Sequence, residues 1–248
     1  MNSSIGLMYR RLAGFLIDNL DLHEGFVIFE AGCGRGQLTI PFAKKLKEII
    51  ENFKIVAFDL SAGSYKGDLD VLKQNVTKEK LEEFIVTAKG DVRKITSLKN
   101  DSGDVIISNE LLCELDRGGL KKALKEFYTI LKPNGQMVHG ELNPVPKNVA
   151  QRLVIEANLH SLETSKPKPE WFSPFSDEVI TLMHELGFKD FIVKYFETDV
   201  RFSFKEAIEQ LQKWHTDPAF IKMHVNELKK HGLEYPIEHV IFCKKPIC

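Results

Sequence analysis

The segment that decides the fold reads Val27-Ile28-Phe29-Glu30-Ala31-Gly32-Cys33-Gly34-Arg35-Gly36-Gln37. A short apolar run enters a loop with glycine at every second position, and residues 38–52 then carry apolar side chains at helical spacing. This order predicts a β-strand that turns sharply into an α-helix. Glycine is required where the chain adopts unusual dihedral angles or where a ligand lies against bare backbone. The segment therefore predicts a loop that either holds a ligand or is only a tight turn.

The spacing of the glycines distinguishes between the known nucleotide-binding loops. The dinucleotide fingerprint G-x-G-x-x-G would need glycine or alanine at position 37, which is Gln37. A P-loop would need Gly-Lys-Ser or Gly-Lys-Thr after the loop, and neither sequence follows it. The spacing therefore excludes a P-loop and leaves a nicotinamide dehydrogenase as a distant alternative.

Short apolar runs alternate with helical patterns between residues 26 and 147, which is typical of βαβ units and a largely parallel sheet. A helix is predicted over residues 119–131, and the turn Lys132-Pro133-Asn134-Gly135 ends it. Downstream, a helix over residues 177–186 and two further strands complete the pattern. The predicted strands are residues 26–30, 54–59, 85–90, 104–108, 136–141, 191–196 and 239–243.

The 248 residues fit a single α/β domain that carries insertions. An amphipathic helix over residues 5–20 precedes a core that comprises residues 21–146, 170–203 and 233–248. The insertions, residues 147–169 and 204–232, are predicted to be helical, with a stiff linker at Lys166-Pro167-Lys168-Pro169. They either cover the site as a lid or only form hydrophobic cores of their own. Their large side chains include Leu159, His160, Trp171, Phe172, Trp214, His215, Phe220, Met223 and His224.

Composition and charge exclude several classes of protein. Apolar residues make up 43% and charged residues 28%, as in an ordinary globular domain, and a net charge of −1 gives no strong attraction to nucleic acid. The apolar runs are too short to cross a bilayer and the N-terminus lacks a signal-peptide pattern, so we expect a cytoplasmic protein without a membrane partner. The four cysteines show neither zinc nor disulfide spacing, and no metal site is predicted.

The run Glu30-x-Gly32-x-Gly34-x-Gly36 closely resembles the first motif of the class I S-adenosylmethionine-dependent methyltransferases. That family places an acidic residue at the end of the second strand, where this chain has Asp59 followed by Leu60. The two oxygens of one carboxylate can accept hydrogen bonds from both ribose hydroxyls. Taken alone, Asp59 is equally well explained as a helix cap or turn residue.

The resemblance extends over residues 26–141 and implies S-adenosylmethionine as the cofactor. Gly90-Asp91-Val92 would flank the adenine, with Asp91 accepting from its exocyclic amine, and residues 104–112 resemble the fourth motif, which borders the methionine end. Leu131-Lys132-Pro133-Asn134-Gly135 looks like the family's L-K-P-G-G turn. The implied cofactor-binding residues are Glu30, Gly32, Cys33, Gly34, Gly36, Asp59, Leu60, Asp91, Val92, Ser108 and Asn109.

The same resemblance implies a Rossmann-like α/β fold. Its sheet would be doubly wound, mostly parallel and seven-stranded, with an antiparallel last strand and helical lid insertions. Phe188 after Leu186-Gly187, followed by two strands, is similar to the family's closing hairpin. Cys33 lies inside the glycine loop, where a small side chain fits, and is interpreted as a packing residue.

Methyl transfer from a sulfonium is an in-line displacement with a neutral leaving group, so the protein mainly positions and desolvates the reactants. A general base is needed only where the acceptor atom arrives protonated. The candidates are Glu110 after the fourth strand and His139 and Glu141 on the fifth, because ligands bind at the carboxyl ends of the strands. His139 and Glu141 share one face of their strand, although a buried core histidine is the more common role for a residue such as His139.

These motifs imply a methyltransferase, and the aromatic side chains of the insertions favour a small molecule as its acceptor. Two alternatives stay open, namely methylation of a protein side chain or an RNA, and a non-catalytic scaffold that only binds S-adenosylmethionine. The fourth motif lacks the N/D-P-P-Y/F/W sequence of methyltransferases that act on flipped bases. DNA is therefore not expected as a partner.

Overall fold

The computed structural model describes residues 4–96, 98–164, 176–214 and 216–247, apart from the side chains of residue 64 and residues 161–164. The strands are β1 Phe26–Ala31, β2 Phe53–Asp59, β3 Ile85–Lys89, β4 Gly103–Asn109, β5 Leu131–Leu142, β6 Lys189–Phe196, β7 Arg201–Phe202, β8 Leu233–Glu234 and β9 Glu238–Lys244. The α-helices are α1 Ser4–Ile17, α2 Thr39–Leu46, α3 Asp68–Lys78, α4 Arg117–Ile130, α5 Val149–Thr164, α6 Ser176–Glu185, α7 Phe204–Lys213, α8 Pro218–Met223 and α9 Val225–His231.

Seven strands form one sheet in the order β3-β2-β1-β4-β5-β9-β6. The strands from β3 to β5 in this order pair in parallel, whereas β9 is antiparallel to both β5 and β6. The predicted Rossmann-like sheet with an antiparallel last strand is thereby confirmed. The chain reverses its direction of winding between β1 and β4, and such a switch point opens a crevice at the carboxyl ends of the strands.

Helices cover both faces of the sheet because the strands are apolar on both sides. On β1, Ile28 faces the core beneath α1, α2 and α3, and Phe29 faces the core beneath α4 and α6. Alternate residues of one strand therefore belong to different cores. This alternation decides which side chains at the strand ends can face a common ligand.

Three predicted boundaries differ from the structure by three residues or more. Helix α1 ends at Ile17 rather than residue 20, because the Asn19 side chain donates to the carbonyl of Phe15 (2.7 Å). Helix α2 ends at Leu46 rather than residue 52, because the Glu24 carboxylate accepts the N–H groups of residues 51 and 52 (3.1 and 2.9 Å) and directs the chain into β2.

Strand β5 is the third difference, since it begins at Leu131 and includes the turn predicted over residues 131–135. Asn134 adopts a left-handed φ of 64°, and its N–H donates to the carbonyl of Lys245 (2.8 Å). Lys245 in turn donates its N–H to the carbonyl of Gly135 (2.9 Å). Pairing with the chain beyond β9 therefore extends the strand through the predicted turn.

The insertions pack on each other, with α5 against α9 and β8, and α7 against α9. Ala207 and Leu211 of α7 are buried in the core beneath α1. The predicted linker over residues 166–169, together with Trp171, Phe172 and His215, lies outside the described residues. In the described part of the chain, no helix is long and apolar enough to cross a membrane.

Candidate functional site

A cavity of about 390 Å³ lies at the carboxyl ends of β1, β2, β3 and β4, at the switch point of the sheet. Nine of the eleven predicted cofactor residues line it, and so does Glu110. Gly36 and Ser108 do not line it, and neither do His139 and Glu141. The described lining residues are Tyr9, Glu30, Gly32, Cys33, Gly34, Gln37, Leu38, Asp59, Leu60, Tyr65, Asp68, Gly90, Asp91, Val92, Arg93, Asn109, Glu110, Leu111, Glu114 and Leu115.

The glycines of the loop after β1 have different roles. Gly34 has a φ of 50°, and a Cβ placed on it would meet no atom within 4 Å, so its bare backbone faces open space in the cavity. Gly36 has a φ of 84°, and a Cβ there would lie 2.4 Å from the side chain of Leu72 on α3. Gly36 therefore allows close packing of the loop against α3, whereas Gly34 leaves room for a ligand.

Asp59 holds the glycine loop from the end of β2. Its Oδ2 accepts the N–H of Gly34 (2.9 Å) and its Oδ1 accepts the N–H of Ser61 (2.6 Å). A carboxylate oxygen can accept two hydrogen bonds, so each oxygen retains capacity for a further donor. The next residue, Leu60, is 46% exposed and also lines the cavity.

Asp91 and Val92 line the cavity after β3, and Val92 is buried. Both oxygens of Asp91 accept hydrogen bonds from the Arg93 guanidinium at 2.6 to 3.1 Å. These bonds lower the pKa of Asp91, so its carboxylate stays ionised. The Arg93 guanidinium is therefore already paired with the Asp91 carboxylate. Among the described lining residues, Arg93 is the only basic one.

Two groups of the first motif are buried in the cavity wall. Burial raises the pKa of Glu30 to about 7, with the charge of Asp59 adding to the effect. Burial also raises the pKa of the Cys33 thiol far above its ordinary value, and the nearby Glu30 and Asp59 act in the same direction. The Cys33 thiol is therefore neutral, as expected for a side chain that only packs.

At the end of β4, successive side chains point to opposite faces of the sheet. Ser108 points away from the cavity, and its hydroxyl lies 2.9 Å from Nδ1 of His139. Asn109 and Glu110 line the cavity. Glu110 has a φ of 48°, and burial raises the pKa of its carboxyl to about 7, with the charge of Glu114 contributing.

His139 and Glu141 share a face, as predicted, but that face is turned away from the cavity. Nε2 of His139 lies 3.6 Å from Oε2 of Glu141, which also accepts the N–H of Cys113 (3.3 Å). Burial lowers the pKa of His139 to about 3 and raises the pKa of Glu141 to about 8. Both side chains are buried and uncharged at neutral pH, and His139 occupies the position of a core histidine.

We expect Glu141→Gln to change how stability depends on pH. The Glu141 carboxyl loses its proton near its ordinary pKa of 4.5 in the unfolded chain and near 8 in the folded chain, so the folded state binds more protons between these values. The free energy of unfolding of the wild type should therefore fall, relative to the variant, by about one kcal/mol per pH unit in that window. The depressed pKa of His139 has the opposite sign, but it is common to both proteins.

Urea unfolding of both proteins between about pH 5 and pH 8 measures this difference. Glu48→Gln, at an exposed site on the surface, serves as the control and should run parallel to the wild type. Parallel curves for the wild type and Glu141→Gln would contradict the assignment of a protonated Glu141.

Several residues that line the cavity belong to no recognisable sequence motif, so the sequence alone does not identify them. Tyr9 comes from the N-terminal helix, where its place in an amphipathic pattern predicts packing and gives no sign of a ligand. Tyr65 donates its hydroxyl to Glu114 (2.9 Å), and the Arg35 guanidinium donates to Asp68 (2.9 Å). These pairs join loops that are distant in sequence, so no local spacing could have identified them.

The chain is similar to known methyltransferases in part of its sequence. A family model described as a methyltransferase domain matches residues 28–135. A probable ribosomal RNA small subunit methyltransferase A of Methanosphaera stadtmanae is 34% identical over 96 residues, which are 38% of this chain and 30% of that protein. A malonyl-[acyl-carrier protein] O-methyltransferase of Yersinia pestis is 30% identical over 120 residues, 48% of this chain and 38% of that protein. The chain thus spans less than half the length of these curated relatives.

Solved structures share the fold over nearly the whole chain. The YcgJ protein of Bacillus subtilis has a TM-score of 0.71 at 13% identity, covering 96% of this chain and 99% of that one. A phosphoethanolamine N-methyltransferase 2 of Haemonchus contortus, in complex with phosphomonomethylethanolamine and S-adenosylhomocysteine, has a TM-score of 0.62 at 13% identity, covering 95% of this chain and 53% of that one. Residues 28–135 therefore match a methyltransferase domain, and the glycine loop and the sheet order agree with the fold that these solved structures share.

Proposed function

We propose that this protein binds S-adenosylmethionine in the cavity at the switch point and transfers its methyl group to a small molecule. One observation carries the proposal, namely that Gly34 presents bare backbone to open cavity space while Asp59 fixes it from the neighbouring strand. A loop of this kind accommodates a ligand that lies directly on the backbone. The match of residues 28–135 to a methyltransferase-domain model supports the same interpretation.

The residues present fit this cofactor. Asp59 keeps hydrogen-bonding capacity for ribose hydroxyls, and Asp91, Val92 and Leu60 form the side of the cavity proposed for the adenine. Asn109 lines the opposite side, and its buried Nδ2 atom has no hydrogen-bond partner among the described residues. A buried donor without a partner favours a ligand that supplies an acceptor there.

The bound cofactor supplies an electrophilic methyl group on a sulfonium. The protein orients the reactants, excludes water and provides a group that accepts a proton. We assign the last role to Glu110, because it lines the cavity and its pKa of about 7 lets it exchange a proton near neutral pH. His139 and Glu141, the other two predicted catalytic residues, are placed on the far face, where they hold the ends of β4 and β5 together.

The acceptor is proposed to be small because the cavity is compact and poor in positive charge. Its volume is within the range of small-molecule sites. An RNA acceptor would need basic side chains for its phosphates, and the described lining offers only Arg93, which is paired with Asp91. The related proteins are named for ribosomal RNA, an acyl-carrier protein and phosphoethanolamine, so they do not agree on one acceptor.

We propose that the insertions support this site from outside the cavity and do not cover it as a lid. Among the described residues, none from 147–169 or 204–232 lines the cavity. Trp214 instead stacks on Tyr235, with ring centroids 5.7 Å apart, and the charge of Glu110 contributes to the raised pKa of Tyr235. We infer that the insertion over residues 204–232 supports the inner wall of the site through Tyr235.

Isothermal titration with S-adenosylhomocysteine and with NAD tests the proposed function. We expect binding of S-adenosylhomocysteine and none of NAD, and we expect radioactivity from methyl-labelled cofactor to appear in a small-molecule fraction. A protein that binds NAD instead would refute the proposal. Cofactor binding without transfer to any small-molecule, protein or RNA fraction would identify the non-catalytic scaffold.

A further inference from the structure

Four buried polar atoms at the inner end of the cavity or directly behind it have no hydrogen-bond partner of normal geometry among the residues that the structure describes. They are Nδ2 of Asn109, Oε1 of Glu110 and both carboxylate oxygens of Glu238. Three of the four are acceptors, and they are anionic when the carboxyls are ionised. Buried carboxylates are stable only when they are paired with a cation or a donor. This group therefore indicates a ligand that donates hydrogen bonds and carries positive charge.

Glu238 and Asn109 meet above the bare backbone of Gly140. Glu238, at the start of β9, is 0% exposed. A Cβ placed on Gly140 would lie 2.2 Å from Oδ1 of Asn109 and 3.1 Å from Oε2 of Glu238, so both atoms lie close to one point. Because Asn109 and Glu110 line the cavity, Glu238 stands directly behind the cavity wall.

The charges around this group are negative. Burial raises the pKa of Glu238 well above its ordinary value and the charges of Glu110 and Glu141 raise it further, whereas the adjacent Asn109 side chain acts in the opposite direction. The pKa of the Tyr9 hydroxyl, which lies in the same wall, is raised first by the charge of Glu110 and also by that of Glu238. A cation bound here would relieve this repulsion and restore the ionised carboxylates.

We propose that Glu110, Asn109 and Glu238 form an acceptor subsite for the protonated amino group of a small amine, an inference that rests on the proposed methyl transfer. An ammonium group offers up to three N–H donors, and Glu110, which lines the cavity, has an unpartnered carboxylate oxygen to accept one of them. The carboxylate of Glu238 adds negative charge directly behind this wall. The described residues contain no group of three or more side chains spaced to hold a metal ion. An organic cation therefore fits this subsite better than a metal ion.

Methylation of an amine requires the nitrogen to lose a proton first. The ammonium gives one proton to the carboxylate of Glu110, the freed lone pair forms the new bond to the methyl carbon, and the electron pair of the broken sulfur–carbon bond stays on sulfur. Glu238 lies behind the cavity wall, and its carboxylate positions the amine without taking part in the proton transfer. Its negative charge holds the nitrogen at the inner end of the cavity.

Matched amine and alcohol probes test the subsite on the protein with and without S-adenosylhomocysteine. Saturation-transfer NMR should detect ethanolamine and propane-1,3-diamine, with dissociation constants of roughly millimolar for ligands of so few atoms. Their uncharged counterparts, ethylene glycol and propane-1,3-diol, should give no signal. Glu238→Gln should weaken amine binding at least about tenfold while its circular dichroism spectrum stays unchanged, and Glu110→Gln should have the same effect.

Glu197→Gln, an exposed acid beyond β6, is the control and should bind the amines like the wild type. Absence of amine binding, or equal binding by Glu238→Gln, would overturn the subsite. A tenfold loss of affinity for S-adenosylhomocysteine in Glu238→Gln with unchanged amine binding would show that the carboxylates serve the cofactor and would also overturn it. Because the amines are titrated with and without S-adenosylhomocysteine, failure of cofactor binding counts separately, against the proposed function.

Discussion

Gly34→Val is expected to lower the affinity for S-adenosylhomocysteine by more than about 100-fold, which corresponds to about 2.7 kcal/mol. The valine side chain would project into the space that the bare backbone of Gly34 leaves open, where no protein atom lies within 4 Å. The fold should persist because a Cβ at this position meets no neighbouring atom. Isothermal titration measures the affinity, and circular dichroism reports the fold.

Backbone strain needs its own control, since valine is disfavoured at the φ of 50° that Gly34 adopts. Gly25 offers a matched site, with a φ of 79° and no atom within 4 Å of a Cβ placed on it, but it does not line the cavity. Gly25→Val should lose a similar amount of stability and bind S-adenosylhomocysteine normally. Normal binding by a folded Gly34→Val protein would show that the ligand does not lie on this loop.

Asp59→Ala is expected to weaken binding of S-adenosylhomocysteine by about 1.5 to 3 kcal/mol, or roughly 10- to 150-fold. The substitution removes the proposed acceptors for the ribose hydroxyls. It also removes the bonds that hold the N–H groups of Gly34 and Ser61, so the loop loses its support at the same time. Titration calorimetry on the folded variant gives the difference directly.

Two further variants separate these contributions. Asp59→Asn keeps one acceptor oxygen but loses the charge, so its affinity should lie between those of the wild type and Asp59→Ala. Asp70→Ala removes an exposed acid on α3, whose side chain is 76% exposed, and should leave the affinity unchanged. Unaltered binding by Asp59→Ala would remove Asp59 from the ribose site.

The sequence predicts the sheet well because each strand carries its own local signal. Apolar runs, the glycine loop and the breaks between them place β1 to β5 to within a few residues, and the pattern also yields the closing pair of strands. The errors at α2 and β5 come from contacts between distant residues. Hydrogen bonds to the Glu24 carboxylate end α2 early, and backbone hydrogen bonds with Lys245 extend β5.

The candidate site is less predictable, since it depends on which face each side chain takes. Ser108 and Asn109 both lie within β4, where successive side chains take opposite faces, so only Asn109 reaches the cavity. The same rule turns His139 and Glu141 away from it. Glu238 carries no motif at all, and only the pairing of β9 with β5 brings it beside Asn109.

The position of β9 between β5 and β6 has a consequence for synthesis of the protein on the ribosome. A nascent chain that has not yet released residues 238–244 can pair β1 to β5, but it leaves β5 and β6 as two open strand edges. Open edges are templates for aggregation, and such long-range pairing closes slowly. Chaperones that shield exposed strands should therefore engage the nascent chain until β9 closes the sheet.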